Sequence, residues 1–480
     1  MNIRLLIHVL SGLVIFFGCS LLVPFSFSLL YQDVNLFVFL TPAGICILLG
    51  TVLFKITKSK FQMTLREGFA VVTFSWIILA LIGAVPFYTS QALPSFIDCF
   101  FETMSGLTTT GSSILTDIES LPKSLLLWRS FTQWLGGMGI IVLSIALLPI
   151  LGIEGTMLFF AESPGPSKDR MNVRIKDTAI ILWKIYLVLT VILFIALMFG
   201  GMSAFDSINH SFNTLSTGGF SVKNTSIGFY QSSYIDWVIT LFMFIGGVNF
   251  SLHFSFLKGN IKTYFKSEEF RVYCYLLIFS TGIITYLTYS DGSDIEKTVR
   301  DAAFQVVSIS TTTGYGTYDY ELWLYFCQVL LLFLMFVGGS AGSTSGGMKV
   351  VRVIYVFKSV IHYTSHLIHP KQIKITKVDN QSITNEISRG IVNFVLINIG
   401  VFTVGSLLMG ATGLDPLTSM TSVVACLSNI GPGLGSVGPT ESFAHISDFG
   451  KAVLSFCMLI GRLEYFTVVV LFLPSLWKKN

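Results

Sequence analysis

Four short segments of the chain combine hydroxyl or amide side chains with glycine in a way that suits the binding of a metal cation. Glycine adopts positive φ without penalty, so successive backbone carbonyl groups in such a segment can face the same side. A ring of carbonyl and hydroxyl oxygens can replace the water shell of a cation, whereas the segments offer nothing comparable to an anion. We therefore predict one cation site built from all four segments. Its predicted residues are Thr109, Thr110 and Gly111 in the first segment, Ser216, Thr217 and Gly218 in the second, Thr312, Thr313 and Gly314 in the third, and Asn429, Ile430 and Gly431 in the fourth.

Each segment follows an apolar stretch that is too short to cross a bilayer, which takes about 20 residues. An aspartate stands near the start of each stretch, 12 to 16 residues before the glycine, where it can cap the N-terminus of a helix. The stretches are therefore predicted to be re-entrant pore helices whose negative C-terminal dipole ends point toward the cation. The four acids are Asp98, Asp206, Asp301 and Asp415.

A second glycine element recurs 24 to 30 residues after each segment. Close helix packing would explain a single copy, but four copies at matching places indicate an internal repeat. The copies are Gly136-Gly137, Gly246-Gly247, Gly338-Gly339 and Gly461-Arg462. We predict two leading membrane helices in residues 1–60, followed by four helix–pore loop–helix repeats in a pseudo-fourfold arrangement. The repeats are assigned to residues 61–160, 161–260, 261–360 and 361–480.

The composition places these repeats in a membrane. Hydrophobic residues make up 52% of the 480 residues and charged residues 12%, with a mean hydropathy of +0.74. A soluble domain carries about a quarter charged residues, so this chain lacks the polar groups to cover its surface in water. A net charge of +4 is too small to indicate nucleic-acid binding. The sequence also contains no catalytic triad, carboxylate pair or phosphate-binding loop, so we expect neither an enzyme nor a bound cofactor.

Ten runs of residues are long and apolar enough to form membrane helices. With a cytoplasmic N-terminus, the inner loops hold 22 basic residues and the outer loops six. The positive-inside rule then predicts that both termini are cytoplasmic. The fold class is thus an all-α integral membrane protein with ten transmembrane helices. These lie near residues 4–30, 34–54, 69–88, 126–150, 179–200, 235–257, 272–290, 322–348, 390–410 and 452–476.

Two places depart from the repeat and suggest a gate. Residues 338–347 contain five glycines among small residues and make a poor helix, because each glycine costs about 1 kcal/mol relative to alanine. The stretch is predicted to unwind into a loop beneath the cation site, although small residues also favour close helix packing. Arg462 replaces a glycine and would narrow the pore or repel cations, unless it pairs with Glu464. The predicted gate residues are Gly338, Gly339, Gly342, Gly346, Gly347, Lys349 and Arg462.

Longer motifs in the chain resemble those of the Trk/Ktr/HKT superfamily of potassium transporters. The resemblance covers essentially the whole chain, including the two leading helices, and is strongest to the potassium-uptake subunits of Trk systems. It implies that potassium passes through a four-part filter, that residues 338–348 form an intramembrane gating loop, and that Arg462 lies in the narrow pore. The motifs are Gln133–Leu143, Gly165–Pro166, Ala341–Thr344, Gly346–Val350, Asn429–Gly435 and Gly461–Glu464.

The resemblance also implies the partners of the protein. It suggests a homodimer of pores in the lipid of the bacterial inner membrane and a cytoplasmic nucleotide-binding regulator similar to TrkA, which would contact the basic inner loops and residues 349–390. In plant relatives a serine at the first filter glycine accompanies sodium transport, so glycine at all four positions favours potassium. The third segment, residues 312–316, differs at one residue from the potassium-channel sequence TVGYG, and Ser345 stands where the resemblance leads us to expect glycine.

Potassium conduction through a channel-like pore is therefore the function that we predict. The alternative is a secondary active transporter that couples potassium entry to protons or sodium. Parallel repeats weigh against this alternative, because coupled transporters commonly have inverted ones. The sequence also shows no unpaired carboxylate deep in a predicted span that would serve as a proton relay.

Overall fold

The computed structural model describes residues 1–58, 64–147, 168–290, 294–369, 376–379 and 381–477. Within these ranges the regular structure is helical apart from one antiparallel pair of two-residue strands, Lys377–Val378 and Gln381–Ser382. The prediction of an all-α membrane protein is confirmed. The predicted domain boundaries near residues 60 and 160, and the motif Gly165–Pro166, lie outside the described residues.

The two leading elements form a pair of apolar helices. Ile3–Ser20 and Leu22–Tyr31 make one apolar stretch, and Phe37–Ile56 returns beside it. Glycine permits the close approach of the first and last of these helices, because a methyl group at Gly50 would lie 2.7 Å from the Ile15 side chain. This contact occupies helix surface that would otherwise face lipid.

The rest of the chain repeats one order of elements four times: a long helix, a short helix of 12 to 16 residues, and a further straight or bent helix. We call these the four units. The first contains Leu65–Thr89, Phe96–Leu107 and Lys123–Leu147, and the second contains Lys168–Phe199, Ala204–Leu215, and Ser233–Gly246 with Phe250–Leu257. The third contains Glu268–Thr288, Ile295–Ser310, Tyr325–Val337 and Val350–Ile368, and the fourth contains Asn385–Ala411, Pro416–Leu427, and Asp448–Arg462 with Phe466–Val469. Shorter pieces are the helices Lys262–Lys266 and Pro474–Trp477 and the 3-10 turns Ser226–Tyr230, Tyr320–Leu322, Phe443–His445 and Val470–Phe472.

Six helices in the described part of the chain are long and apolar enough to span a membrane, and two bent pairs raise the number to eight. The pairs bend by 98° after Gly246 and by 112° after Arg462. The predicted spans at 126–150 and 322–348 correspond to Lys123–Leu147 and to the 13-residue helix Tyr325–Val337, which ends where the glycine-rich stretch begins. The total of ten spans stays a prediction.

The short helices begin at caps that differ from the predicted ones. Ser95 and Ser203 cap the first two short helices, and Asp98 and Asp206 lie three residues further on, donating their backbone N–H groups to those serines. Asp294 caps the third helix, so Asp301 lies in its middle, and only Asp415 caps as predicted. The prediction missed these serines because serine and aspartate cap equally well. All four helices are still too short to cross the hydrocarbon core.

The distribution of polarity is the reverse of that in a soluble protein. Large apolar side chains such as Ile278 and Phe279 are about 70% exposed on the outer helices, whereas polar residues such as Asn213, Gln305 and Thr110 are fully buried on or after the short helices. An apolar exterior suits contact with hydrocarbon. The buried polar residues indicate a polar pathway at the centre.

A buried ion pair joins the fourth unit to the first and supplies a test of the arrangement. Lys451 Nζ lies 2.6 Å from Asp98 Oδ1, and the two side chains are 7% and 6% exposed. Asp98→Asn is expected to destabilise the protein by about 3 kcal/mol, because it leaves a buried ammonium group unpaired. The double variant Asp98→Asn/Lys451→Met should regain most of the loss. Thermal unfolding in detergent measures both, and an Asp98→Asn midpoint equal to that of the wild type would contradict the contact.

Candidate cation filter and gate

The backbone adopts the same unusual conformation after each short helix. Thr109, Thr217, Thr312 and Asn429 have φ of 51°, 52°, 59° and 56°, in the left-handed region that L-residues seldom occupy. Two residues later comes a glycine that also has positive φ. These glycines are Gly111, Gly219, Gly314 and Gly431, with φ of 86°, 77°, 81° and 108°.

Hydrogen bonds fix the register of the four segments. The N–H of Thr109 donates to the carbonyl of Gly106 at 2.9 Å, and the N–H of Thr110 donates to the carbonyl of Ser105 at 2.8 Å. The same two bonds, to the third and fifth preceding residues, recur at 217 and 218, at 312 and 313, and at 429 and 430. The four segments therefore correspond atom for atom along the backbone as 109–111, 217–219, 312–314 and 429–431.

This register differs by one residue from the predicted one in the second unit. Ser216 ends its short helix, as Thr108 does in the first unit, and Gly219 takes the place predicted for Gly218. The two adjacent glycines made the choice ambiguous. The spacing from the acid was the missed signal, because Gly219 follows Asp206 by 13 residues, as Gly111 follows Asp98.

The four segments contact one another in a closed ring. A methyl group at Gly111 would lie 2.2 Å from the carbonyl oxygen of Gly218, at Gly219 1.8 Å from that of Thr313, and at Gly314 1.9 Å from that of Ile430. At Gly431 it would lie 3.0 Å from the carbonyl oxygen of Thr110, which returns to the first unit. Space therefore requires glycine at Gly111, Gly219 and Gly314, and positive φ favours it at all four positions. The segments contact one another in the order first, second, third, fourth, first.

Oxygen atoms around this ring are left free for a ligand. Within the described part of the chain, the carbonyl groups of Thr110, Thr313 and Ile430 accept no hydrogen bond, whereas that of Gly218 accepts one from Gln133. The Thr109 hydroxyl is buried without a partner in the same part of the chain. Buried polar atoms are nearly always paired, so free carbonyl oxygens in the first, third and fourth segments suit a cation.

A buried ion pair that the sequence analysis did not single out supports the first segment. Glu102, on the first short helix, accepts hydrogen bonds from the Ser113 hydroxyl at 3.0 Å and from the Ile114 N–H at 3.1 Å. Arg129 donates to Glu102 at 2.6 Å and to the Ser221 carbonyl at 2.7 Å. The pair therefore holds the backbone beyond the first segment and ties it to the second unit. The sequence signal was a charged residue inside each of two apolar stretches.

The loops that follow the first and second segments are joined through Asn224. Its amide donates to Asp117 at 3.0 Å, and its backbone N–H donates to Glu119 at 3.3 Å. The hydrogen bond from Asn224 lowers the pKa of the Asp117 carboxyl, so this group stays charged at neutral pH. A negative charge in this loop attracts cations.

The glycine-rich stretch is a loop, as predicted. Helix Tyr325–Val337 ends before it and helix Val350–Ile368 begins after it. Its Gly346 N–H donates to the Thr312 hydroxyl at 2.6 Å, and its Thr344 hydroxyl donates to the Leu215 carbonyl at 3.0 Å. A methyl group at Gly346 would lie 2.1 Å from the Ser428 carbonyl. The loop therefore lies against the ends of the second, third and fourth short helices. The predicted boundary between residues 360 and 361 falls inside the helix that follows.

Three further predicted gate glycines hold the shape of this loop. Gly338, Gly342 and Gly347 have φ of 74°, 69° and 72°. A methyl group at Gly339 would lie 2.3 Å from the Ser345 hydroxyl. The structure therefore brings all the predicted gate glycines into one loop. Within this loop the hydroxyl oxygens of Ser343 and Ser345 lie 2.7 Å apart.

Arg462 contacts the loop from the fourth unit. It is 2% exposed, and it donates to the Thr344 carbonyl at 2.8 Å and, less closely, to the Gly136 carbonyl at 3.4 Å. Glu464 pairs with Arg352, so the alternative of an Arg462–Glu464 pair is not what the structure contains. The guanidinium group is therefore held by backbone carbonyls from the loop and from the first unit.

Two charged residues brace the ends of the loop. Lys349 has φ of 76° and donates its ammonium group to the Ser345 carbonyl. Glu269, which the sequence analysis did not single out, accepts with one oxygen the Ala341 N–H at 2.7 Å and the Val351 N–H at 3.2 Å. A single buried carboxylate thus ties both flanks of the loop to helix Glu268–Thr288.

Short helices that stop inside the molecule, four glycine segments in a ring and a loop packed against them define a multi-span membrane protein with a cation pathway. The sequence matches the TrkH family, cation transport proteins, over residues 36–479. It is 41% identical over 485 residues to the Trk system potassium uptake protein TrkH of Escherichia coli K12, covering 100% of both chains. The chain belongs to the TrkH family, as its motifs predicted.

A further relative and a solved structure agree with this result. The Trk system potassium uptake protein TrkH of Vibrio parahaemolyticus is 38% identical over 486 residues, with 100% of both chains covered. The crystal structure of the potassium transporter TrkH from Vibrio parahaemolyticus matches the fold with a TM-score of 0.92 at 36% identity, again over 100% of each chain.

The register of the second segment has a direct test. Gly219→Ala is expected to lower cation flux at least tenfold, because its Cβ would overlap the Thr313 carbonyl and its φ is positive. Gly218→Ala is the comparison, and a smaller loss is expected because its nearest contacts, the Gln133 side chain at 2.4 Å, can shift more readily than a backbone carbonyl. Flux into proteoliposomes at equal protein yield measures both variants. A greater loss in Gly218→Ala would restore the originally predicted register.

Proposed function

We propose that this protein conducts potassium into the bacterial cell through the ring of four glycine segments, without enzymatic chemistry or a bound cofactor. The observation that carries the proposal is the closed ring itself, in which a carbonyl oxygen of each unit lies against a glycine of its neighbour. Its relatives are named potassium uptake proteins. Carbonyl oxygens arranged in this way replace the water shell of a cation as it passes.

The proposed selectivity for potassium follows from the four filter glycines. With glycine at 111, 219, 314 and 431, no side chain narrows the ring and the ligands are backbone carbonyls. The positive φ of the residue two positions earlier aligns successive carbonyl groups in every unit. Such a ring holds a potassium ion at all four sides at once, and a smaller sodium ion less well.

The loop at residues 338–349 is proposed to be the gate. Its contacts with Thr312, Leu215 and Ser428 lie at the inner ends of the filter segments, where a loop obstructs a permeating ion. Arg462 adds a positive charge and holds the loop through Thr344. Opening would require this hydrogen bond to break and the loop to move aside.

The proposed assembly is a homodimer with cytoplasmic termini, regulated by a nucleotide-binding protein similar to TrkA. Helix Val350–Ile368 begins directly after the gate loop and exposes Phe357, Tyr363 and Ile368. A partner that binds this helix would act directly on the loop, because the two are adjacent in the chain. This supports residues 349–390 as the regulator contact.

Coupled transport is the second candidate, and Glu269 is the observation that favours it. This carboxylate is buried, and its partners in the described part of the chain are backbone N–H groups rather than a cation. A buried acid of this kind in a membrane helix is often a proton site. Its position near the start of its helix, beside the gate, favours instead a role in holding the loop.

Tracer flux separates the two candidates. Purified protein in proteoliposomes is expected to take up rubidium along an imposed potassium gradient, with potassium competing far better than sodium. Uptake that needs an added proton or sodium gradient, and that Glu269→Gln uncouples, would support the coupled transporter and contradict the channel. The TrkA-like regulator is added in a parallel series, so that a closed gate is distinguished from a missing pathway.

Removal of Arg462 tests the gate. Arg462→Ala should raise basal rubidium flux about tenfold or more, because a hydrogen bond from a charged group contributes about 1.5–3 kcal/mol and 1.4 kcal/mol is roughly tenfold in an equilibrium constant. Arg300→Ala is the control, since Arg300 is a partly buried arginine whose partners are Asp236, Glu296 and Ser233. Unchanged or lower flux in Arg462→Ala alone would contradict a closing role.

A further inference from the structure

A chain of three side chains links the third filter segment to the second unit. Tyr315, the residue after the filter glycine Gly314, is 1% exposed, and its hydroxyl lies 3.2 Å from Nδ1 of His210. Nε2 of His210 lies 3.2 Å from the hydroxyl of Tyr230, in the loop that follows the second segment. His210 itself is fully buried on the second short helix.

Both ring nitrogens of His210 are used in this chain. A neutral imidazole has one donor and one acceptor, and a phenol hydroxyl can serve either one. The two tyrosines therefore satisfy the ring completely, and the three rings meet edge to face with centroids 5.7 Å and 5.6 Å apart. A buried polar network that is fully satisfied is rigid.

The same helix position holds the backbone beyond the filter in the first and third units. Counting seven residues back from the positive-φ residue gives Glu102, His210, Gln305 and Ser422. Glu102 holds residues 113 and 114 of its own unit, and Gln305 donates to the carbonyl of Tyr318 in its own unit at 3.0 Å. His210 differs because it reaches the filter of the next unit.

The backbone at Tyr315 is also held from two sides. The Ser308 hydroxyl donates to the Tyr315 carbonyl at 2.8 Å from the third short helix. On the other side, the Gly316 N–H donates to the Ser226 hydroxyl at 3.2 Å, and the Gly228 N–H donates to the Gly316 carbonyl at 3.2 Å. The loop of the second unit thus cradles the third segment, and His210 is the point at which the side chain of Tyr315 is anchored.

We propose that His210 is a positioning residue for ion selectivity, which holds Tyr315 so that the third filter segment keeps the width that favours potassium over sodium. The proposal rests on the proposed function of the four segments as a potassium filter. Without the imidazole the phenol keeps only a longer bond to the His210 backbone carbonyl, at 3.5 Å, and the adjoining carbonyl groups of Thr313 and Gly314 can relax toward a smaller ion. His210 acts through Tyr315 and touches no ion itself.

Three variants separate this role from a general effect on folding. Tyr315→Phe removes one hydroxyl oxygen and leaves the ring, His210→Leu removes both hydrogen bonds, and His210→Gln keeps one donor and one acceptor. The matched control is Tyr264→Phe, which removes a hydroxyl bonded at 2.6 Å to a half-buried histidine, His253, on the helix Phe250–Leu257. Rubidium flux in proteoliposomes, with potassium or sodium as competitor, gives the potassium-to-sodium preference of each variant.

Tyr315→Phe and His210→Leu should each lower this preference roughly threefold to tenfold, the range that one hydrogen bond contributes to an equilibrium constant. The double variant should fall no further than His210→Leu, because both changes remove the same interaction. His210→Gln should regain most of the preference, and Tyr264→Phe should leave it at the wild-type value.

Wild-type preference in Tyr315→Phe and His210→Leu would overturn the inference while leaving the filter intact. Losses that add in the double variant would also overturn it, since they would be independent. A wild-type protein that does not distinguish potassium from sodium would instead refute the proposed filter. If His210→Leu does not fold, Tyr315→Phe decides the question, because it removes a single atom and keeps the packing.

Discussion

Irregular backbone at membrane depth leaves carbonyl groups that a helix or sheet does not satisfy, and the packing around the four segments meets this constraint. Hydrocarbon cannot satisfy such groups, so irregular backbone is tolerated only inside protein or against an aqueous cavity. The four segments meet this condition by ending short helices in the interior and by closing into a ring. Each glycine fits against the carbonyl oxygen of its neighbour, so the ring depends on all four units at once.

The buried polar side chains follow from this constraint. Glu102 holds the first segment, Gln133 and Asn213 hold the backbone of the second, and Ser308 holds the third. Their hydrogen bonds fix the backbone in and beside the segments. The loop at residues 338–349 meets the same constraint, because its backbone is irregular and its N–H and carbonyl groups pair with Glu269, Arg462 and neighbouring backbone.

The local sequence is sufficient to predict the elements of this architecture but not the contacts between them. Apolar run lengths and glycine repeats predicted the short helices, the four segments and the unwound loop, since these depend on composition and φ. In the second segment the predicted glycine, Gly218, differs by one residue from the glycine that the structure has in that place, Gly219, because two adjacent glycines satisfy the same pattern. The caps at Ser95 and Ser203 were missed because serine and aspartate are equally good local alternatives. The roles of Glu269 and His210 were missed because they depend on neighbours in space.

The most direct test of the central claim is to locate the ion. Crystals of the protein grown in rubidium, with anomalous scattering data collected at the rubidium edge, show where the cation binds. Anomalous density is expected on the axis of the ring, between the carbonyl oxygens of Thr110, Gly218, Thr313 and Ile430. Well-occupied rubidium elsewhere in the membrane region, with none inside the ring, would contradict the assignment of these segments as a filter.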